Sequence, residues 1–142
     1  MSSIHHQTIS LYTGLRPHVL TAYSAIQPSK GCVLLLHGFP DTNWGWRHLL
    51  KPIANAGFDV FVPSMRGYGP NDRGLLRKDE DLCMERICED IEALLTALQV
   101  EKAVIVGHDW GGTAAWNFSC HYPERTRAVA SFCTPFFQIP IE

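Results

Sequence analysis

One carboxylate stands among glycines in the run Gly107-His108-Asp109-Trp110-Gly111-Gly112. Residues 103–106, directly before this run, are apolar and predict a buried strand, and residues 113–122 predict a helix. A sharp strand-to-helix turn that lifts one side chain above the sheet edge needs small residues around it, and the three glycines meet that need. Asp109 is therefore the best candidate in the chain for a nucleophile.

A carboxylate at such a turn suits attack on an sp³ carbon. The product is an ester, which water can hydrolyse at the enzyme's own carbonyl carbon, whereas a serine would be left as an ether. Since Asp109 precedes a predicted helix, we expect a low pKa and an ionised side chain. The alternative interpretation is that Asp109 only caps this helix. The glycines and the strand before them favour the nucleophile.

A second loop follows the continuous apolar run of residues 32–36, a predicted strand buried on both faces. This loop is His37-Gly38-Phe39-Pro40, and Phe39-Pro40 is a candidate cis peptide. We expect the backbone N–H groups of Phe39 and Trp110 to form an oxyanion hole. We interpret His37 as a structural imidazole bonded to nearby backbone. His108 is not expected to be the general base, because its side chain should point away from that of its neighbour Asp109.

Short apolar runs alternate with helical patterns along the chain, which predicts an α/β fold with a mostly parallel sheet and helices on both faces. The first two strands are expected to form a hairpin around residues 14–17, and residues 71–80 to form a surface loop. The predicted strands are 7–13, 18–26, 32–36, 58–62, 103–106 and 128–132, and the predicted helices lie near 45–56, 82–98 and 113–122.

Composition excludes several classes of protein. The 142 residues fit one domain, and the formal net charge of −2 gives no reason to expect a nucleic acid partner. No apolar run has the length of a membrane span, and the N-terminus lacks the pattern of a signal peptide. The five cysteines form no CxxC pair, which argues against a disulfide framework and a zinc site. We expect a cytoplasmic protein without a metal or other cofactor.

Three motifs in order carry a family resemblance: His37–Pro40, Arg66-Gly67-Tyr68-Gly69 and the Asp109 run. Together with the stretches 122–125 and 134–136 they resemble the soluble-type epoxide hydrolases of the α/β-hydrolase superfamily, from about residue 18 onward. The resemblance implies that a small apolar epoxide is opened to a diol through an ester on Asp109. Haloalkane dehalogenases are the alternative, since they also place Asp-Trp in this turn. Many of them carry Asn where this chain has Phe39.

In that family a helical cap with a tyrosine, an acid and the catalytic histidine follow the segment equivalent to residues 134–136. The resemblance therefore implies that residues 1–142 form a partial α/β-hydrolase core, with about six strands and the nucleophile turn, but without the cap and the C-terminal strands. We expect little turnover from the 142 residues alone. A non-catalytic interaction protein is the further alternative, with self-association or pairing through the open edge of the last strand at 127–133.

One position departs locally from the family pattern. The family usually has Asp where this chain has Ser64, shortly before Arg66. We expect the missing carboxylate to loosen the following loop by removing a partner of Arg66.

Overall fold

Six strands form one sheet in the computed structural model, which describes residues 3–72 and 79–136. Residues 73–78 of the predicted surface loop lie outside the described residues. No helix among those described is long and apolar enough to cross a membrane. The strands are β1 (His5–Thr8), β2 (His18–Ala22), β3 (Cys32–Leu36), β4 (Asp59–Pro63), β5 (Ala103–His108) and β6 (Thr126–Phe132), and the α-helices are α1 (Arg47–Asn55), α2 (Met84–Ala97) and α3 (Trp110–His121).

The sheet has the order β1-β2-β4-β3-β5-β6. β1 and β2 form the predicted antiparallel hairpin, with Thr8 opposite His18, and β2 pairs antiparallel with β4. The pairs β3–β4, β3–β5 and β5–β6 are parallel. The expectation of a mostly parallel sheet is confirmed. The carboxyl ends of β3 and β5 meet at one edge of the sheet, where the His37–Pro40 loop and the Asp109 turn begin.

Both faces of the sheet are covered, as predicted, because alternate side chains of a strand point to opposite faces. Leu34 and Leu36 of β3 pack with residues of α2 and α3, whereas Val33 and Leu35 pack with residues of α1. All five residues of β3 are buried. This double burial anchors the strand whose end carries the His37–Pro40 loop.

Three element boundaries differ from those predicted by three residues or more. The first two strands end at Thr8 and Ala22 rather than at 13 and 26. Leu11 is nevertheless only 7% exposed, so its apolar character reflects a buried connection and not a strand. α3 begins at Trp110, three residues before the predicted start, because the chain passes from strand to helix through a single residue.

The loop after β4 is held by two carboxylates, Asp72 of the loop itself and Asp90 of α2. Arg66 donates from Nε to Asp90 Oδ2 at 2.6 Å and from Nη2 to Asp90 Oδ1 at 2.9 Å. Thr13 donates to the same Oδ1, and Asp72 accepts from the backbone N–H groups of Gly67 and Gly69. The expectation that Arg66 loses its partner because position 64 is not acidic is therefore wrong. The partner stands on α2.

We predict that Asp90→Asn lowers the free energy of unfolding by about 3 kcal/mol, because it leaves the buried Arg66 guanidinium without its counter-charge. Both side chains are less than a tenth exposed. Urea denaturation measures the change. Glu89→Gln is the matched control, since it breaks the exposed pair with Arg86 and should leave stability nearly unchanged. Equal stability of the two variants would contradict the assignment.

Candidate active site

Asp109 is the single residue between β5 and α3, and its backbone is in a conformation that side chains disfavour. Its φ is 55° and its ψ is −122°. A non-glycine residue held in this region costs roughly 1–3 kcal/mol and persists only where the surroundings fix it. The predicted sharp turn is present, and it raises the Asp109 side chain at the carboxyl end of β5.

The glycines of the turn are required by close backbone approach. A Cβ on Gly107 would lie 2.0 Å from the carbonyl oxygen of Gly111, and one on Gly111 would lie 2.2 Å from that of Leu36. A Cβ on Gly112 would lie 2.5 Å from Ser131 Oγ. The first turn of α3 therefore packs directly on β3, β5 and β6, which leaves no room for a methyl group.

The Asp109 carboxylate is held by backbone donors from two loops. Phe39 N–H donates to Oδ1 at 2.8 Å. This bond, and after it one from Trp110 N–H, lowers the pKa of Asp109 below its ordinary value, and the charge of His108 acts in the same direction. Trp110 is the first residue of α3, but the Asp109 side chain makes no hydrogen bond with helix-cap geometry, so the structure does not support a helix cap as its role. Of the two N–H groups that the sequence predicted as oxyanion donors, that of Phe39 bonds this carboxylate directly, and that of Trp110 acts on its pKa.

His37 links the two loops at the ends of β3 and β4. Its Nδ1 lies 3.0 Å from Gly38 O, and its Nε2 accepts from Met65 N–H at 3.0 Å, which places the proton on Nδ1. The imidazole is 1% exposed, and burial lowers its pKa. The ring of Tyr68 packs edge-on against it at 4.8 Å. The interpretation of His37 as a structural imidazole is confirmed, as is the cis peptide at Phe39-Pro40.

The surroundings of Asp109 are aromatic and open. Phe39, Trp110 and Phe132 are each more than half exposed. A cavity of about 480 Å³ is lined by Met65, Tyr68, Met84 and Trp110 among others. A second cavity of about 310 Å³ is lined in part by Trp46, Leu49, His108 and Phe132. In the described part of the chain, no three His, Cys, Asp or Glu side chains group as metal ligands.

Sequence reasoning missed the contacts that Asp109 makes with the end of β6 and the segment after it. Asp109 N–H donates to Phe132 O at 3.2 Å, and Thr134 Oγ1 donates to Asp109 O at 2.8 Å. These residues lie more than 20 positions after the turn, and no spacing in the sequence marks them. The parallel pairing of β5 with β6, seen only in the fold, is what brings them to Asp109.

Comparison with known proteins agrees with this architecture. The model of a family described as alpha/beta hydrolase fold matches residues 31–142. The chain is 38% identical over 135 residues to the bifunctional epoxide hydrolase 2 of Sus scrofa, covering 95% of this chain and 23% of the relative. It is 44% identical over 111 residues to an epoxide hydrolase of Caballeronia sordidicola, covering 78% of this chain and 33% of that protein.

Solved structures give the same result. The crystal structure of an epoxide hydrolase from Vigna radiata superposes with a TM-score of 0.84 at 29% identity, over 94% of this chain and 39% of that one. The chain thus spans between 23% and 39% of the length of these three proteins. Because the family model covers residues 31–142, which contain both the His37–Pro40 loop and the Asp109 turn, this chain belongs to the alpha/beta hydrolase fold family.

Proposed function

We propose that this chain carries the nucleophile of an epoxide hydrolase, with Asp109 as the residue that attacks the epoxide carbon. The proposal rests on the Asp109 carboxylate in the strained turn, which Phe39 N–H from the facing loop holds at Oδ1. A serine hydrolase would place a hydroxyl there. The similarity to proteins named epoxide hydrolases supports the same chemistry.

In the first step, a carboxylate oxygen of Asp109 forms a bond to one epoxide carbon. The bond from that carbon to the ring oxygen breaks, and the alkoxide takes a proton from a donor or from water. We assign the attack to Oδ2, since Oδ1 is held by Phe39 N–H. The product is an ester of Asp109 that carries a hydroxyl group on the neighbouring carbon.

In the second step, water adds to the carbonyl carbon of this ester. The charge develops on Oδ1, which already accepts a hydrogen bond from Phe39 N–H, and Trp110 N–H favours negative charge on the same carboxylate. Donors that are in place before the charge appears stabilise the transition state without reorganisation. Collapse of the adduct breaks the bond from the carbonyl carbon to the ester oxygen, which leaves on the diol with one proton of the water. The other proton passes to solvent, and the Asp109 carboxylate is restored.

The substrate we propose is a small, largely apolar epoxide. The chain neighbours of Asp109 each line one cavity, Trp110 the larger and His108 the smaller, and the many aromatic and aliphatic side chains of these walls favour apolar substituents on the epoxide carbons. The face around Asp109 is open, with Phe39 and Trp110 both exposed. The apolar walls can contact the substituents of the epoxide, and the Asp109 carboxylate can attack its ring.

Haloalkane displacement is a second candidate function, favoured by one observation. The Trp110 side chain is 54% exposed beside Asp109, so its indole N–H is available to a leaving halide. Phe39 adds no side-chain donor, which leaves the halide with one side-chain partner rather than two. We therefore place this function second.

Parallel reactions with styrene oxide and 1-bromobutane distinguish the two functions. Intact-mass analysis of the chain should show addition of one whole epoxide molecule, with slower or absent butylation and bromide release. Exposed Cys120 and Cys133 also react with epoxides, so the adduct is treated with hydroxylamine, which cleaves an ester and spares a thioether. Absence of a hydroxylamine-sensitive styrene oxide adduct would contradict the proposal, and faster bromide release would favour the second function.

The pH dependence of ester formation follows from the lowered pKa of Asp109. Donation by Phe39 N–H, and then by Trp110 N–H, favours the charged form, so the carboxylate stays ionised as pH falls through the usual range near 4. We expect a constant rate of ester formation from about pH 8 to about pH 5, with a decline only below the ordinary carboxyl pKa. A decline centred above about pH 5 would show that the two N–H groups do not hold the carboxylate.

A further inference from the structure

Trp110 N–H, the second group that lowers the pKa of Asp109, belongs to a peptide group whose carbonyl oxygen accepts a hydrogen bond from a distant side chain. Trp110 N–H and Asp109 C=O are parts of one planar peptide. Thr134 Oγ1 donates to this carbonyl oxygen at 2.8 Å. Because the peptide is rigid, a side chain that fixes the carbonyl also fixes the direction of the N–H.

The other donor has the same arrangement. Phe39 N–H and Gly38 C=O share a peptide, and His37 Nδ1 lies 3.0 Å from that carbonyl oxygen. Donation to a carbonyl also polarises the amide and strengthens its N–H as a donor. In each of these two peptides the carbonyl oxygen is therefore bonded to a side chain, that of His37 in one loop and that of Thr134 in the other.

Thr134 is the donor that ties this peptide to the sheet. The Gly112 and Thr113 N–H groups also donate to Asp109 O, at 2.9 and 3.1 Å, but they belong to the first turn of α3 and move with it. Thr134 comes from the segment after β6. Its own carbonyl oxygen accepts from Ser131 Oγ at 2.9 Å and from Trp116 Nε1 at 3.3 Å.

The packing leaves a place for the Thr134 hydroxyl. A Cβ on Gly112 would lie 2.9 Å from both Cβ and Oγ1 of Thr134, so the glycine allows the threonine to approach the turn. Gly112 thus serves two purposes, the start of α3 and the seat of the Thr134 side chain.

We infer that Thr134 is a positioning residue that holds the Asp109–Trp110 peptide so that Trp110 N–H faces the Asp109 carboxylate. The expected effect of Thr134 on the rate of ester formation rests on the proposed function, whereas its expected effect on the pKa of Asp109 does not. His108 and Tyr68 are the other titratable groups whose charges interact with Asp109, and both are unchanged in the variants below.

The test compares Thr134→Val, which removes the hydroxyl and keeps the branched shape, with Thr134→Ser, which keeps the hydroxyl. Thr126→Val is the matched control, because Thr126 Oγ1 also donates to a backbone carbonyl, that of Tyr122, at the far end of β6. Circular dichroism establishes folding, and Thr134→Ala replaces Thr134→Val if the valine variant does not fold. The two readouts are the pKa of Asp109 from carboxyl ¹³C NMR and the rate of ester formation with styrene oxide.

We expect Thr134→Val to raise the pKa of Asp109, because the charged form loses donation, and to slow ester formation about threefold to tenfold. Thr134→Ser should stay within about twofold of the original chain, and Thr126→Val should change neither readout. Equal behaviour of Thr134→Val and Thr126→Val, or equal losses in Thr134→Val and Thr134→Ser, would overturn the inference. If the original chain forms no ester, the proposed function fails, and the NMR comparison still decides the role of Thr134.

Discussion

Asp109→Asn is expected to reduce ester formation with styrene oxide by at least about 10³-fold, the scale on which removal of a nucleophile acts. An amide of the same shape keeps an oxygen in reach of Phe39 N–H, so the turn should fold as before. The amide is a far weaker nucleophile than the carboxylate at neutral pH. The variant therefore separates the chemistry of residue 109 from its place in the structure.

Intact mass against time, with and without hydroxylamine, measures this rate. Glu101→Gln is the control for the loss of one negative charge, since Glu101 is exposed before the start of β5, at the opposite end of that strand from Asp109. It should react as fast as the original chain. If Asp109→Asn and Glu101→Gln formed the hydroxylamine-sensitive adduct equally fast, another residue would be the nucleophile.

Gly107→Ala is expected to lower the free energy of unfolding by more than about 4 kcal/mol, or to prevent folding, although it adds a single methyl group. The new Cβ would lie 2.0 Å from the Gly111 carbonyl oxygen and 2.5 Å from Gly112 N. These are backbone atoms at the point where α3 packs on β5, so relief requires the helix to move. Asp109 would move with it.

Urea denaturation compares this variant with Gly45→Ala. A Cβ on Gly45 would also be close to another atom, 2.3 Å from Asp41 Oδ2, but that atom ends an exposed side chain that can rotate away. Gly45→Ala should therefore cost less than about 1 kcal/mol. A Gly107→Ala variant as stable as Gly45→Ala would show that the turn is looser than its geometry indicates.

The sequence predicted most of what local patterns can determine. Residues 32–36 form a continuous apolar run, and β3 has those bounds because both of its faces are buried. The glycines around Asp109 predicted a sharp turn, since close backbone approach is a local requirement that glycine alone meets. Phe39 N–H reaches Asp109 because parallel strands bring their carboxyl ends together, which the alternation of strands and helices already indicated.

What the sequence did not predict depends on pairs that are distant along the chain. Asp90 stands 24 residues after Arg66 on a different element, and an acidic residue on a helix surface usually faces solvent. Thr134 reaches Asp109 only through the pairing of β5 with β6. α3 begins early because tertiary packing overrides the low helix propensity of Gly111 and Gly112.

The position of the ester in the chain tests most directly whether Asp109 is the nucleophile. After reaction with styrene oxide, proteolysis and fragmentation of the peptide that contains residues 107–112 locate the added mass. We expect one hydroxylamine-sensitive adduct on the Asp109 carboxylate, in a chain that has gained one whole epoxide. Modification confined to Cys120, Cys133 or another carboxylate, with Asp109 unmodified, would contradict it.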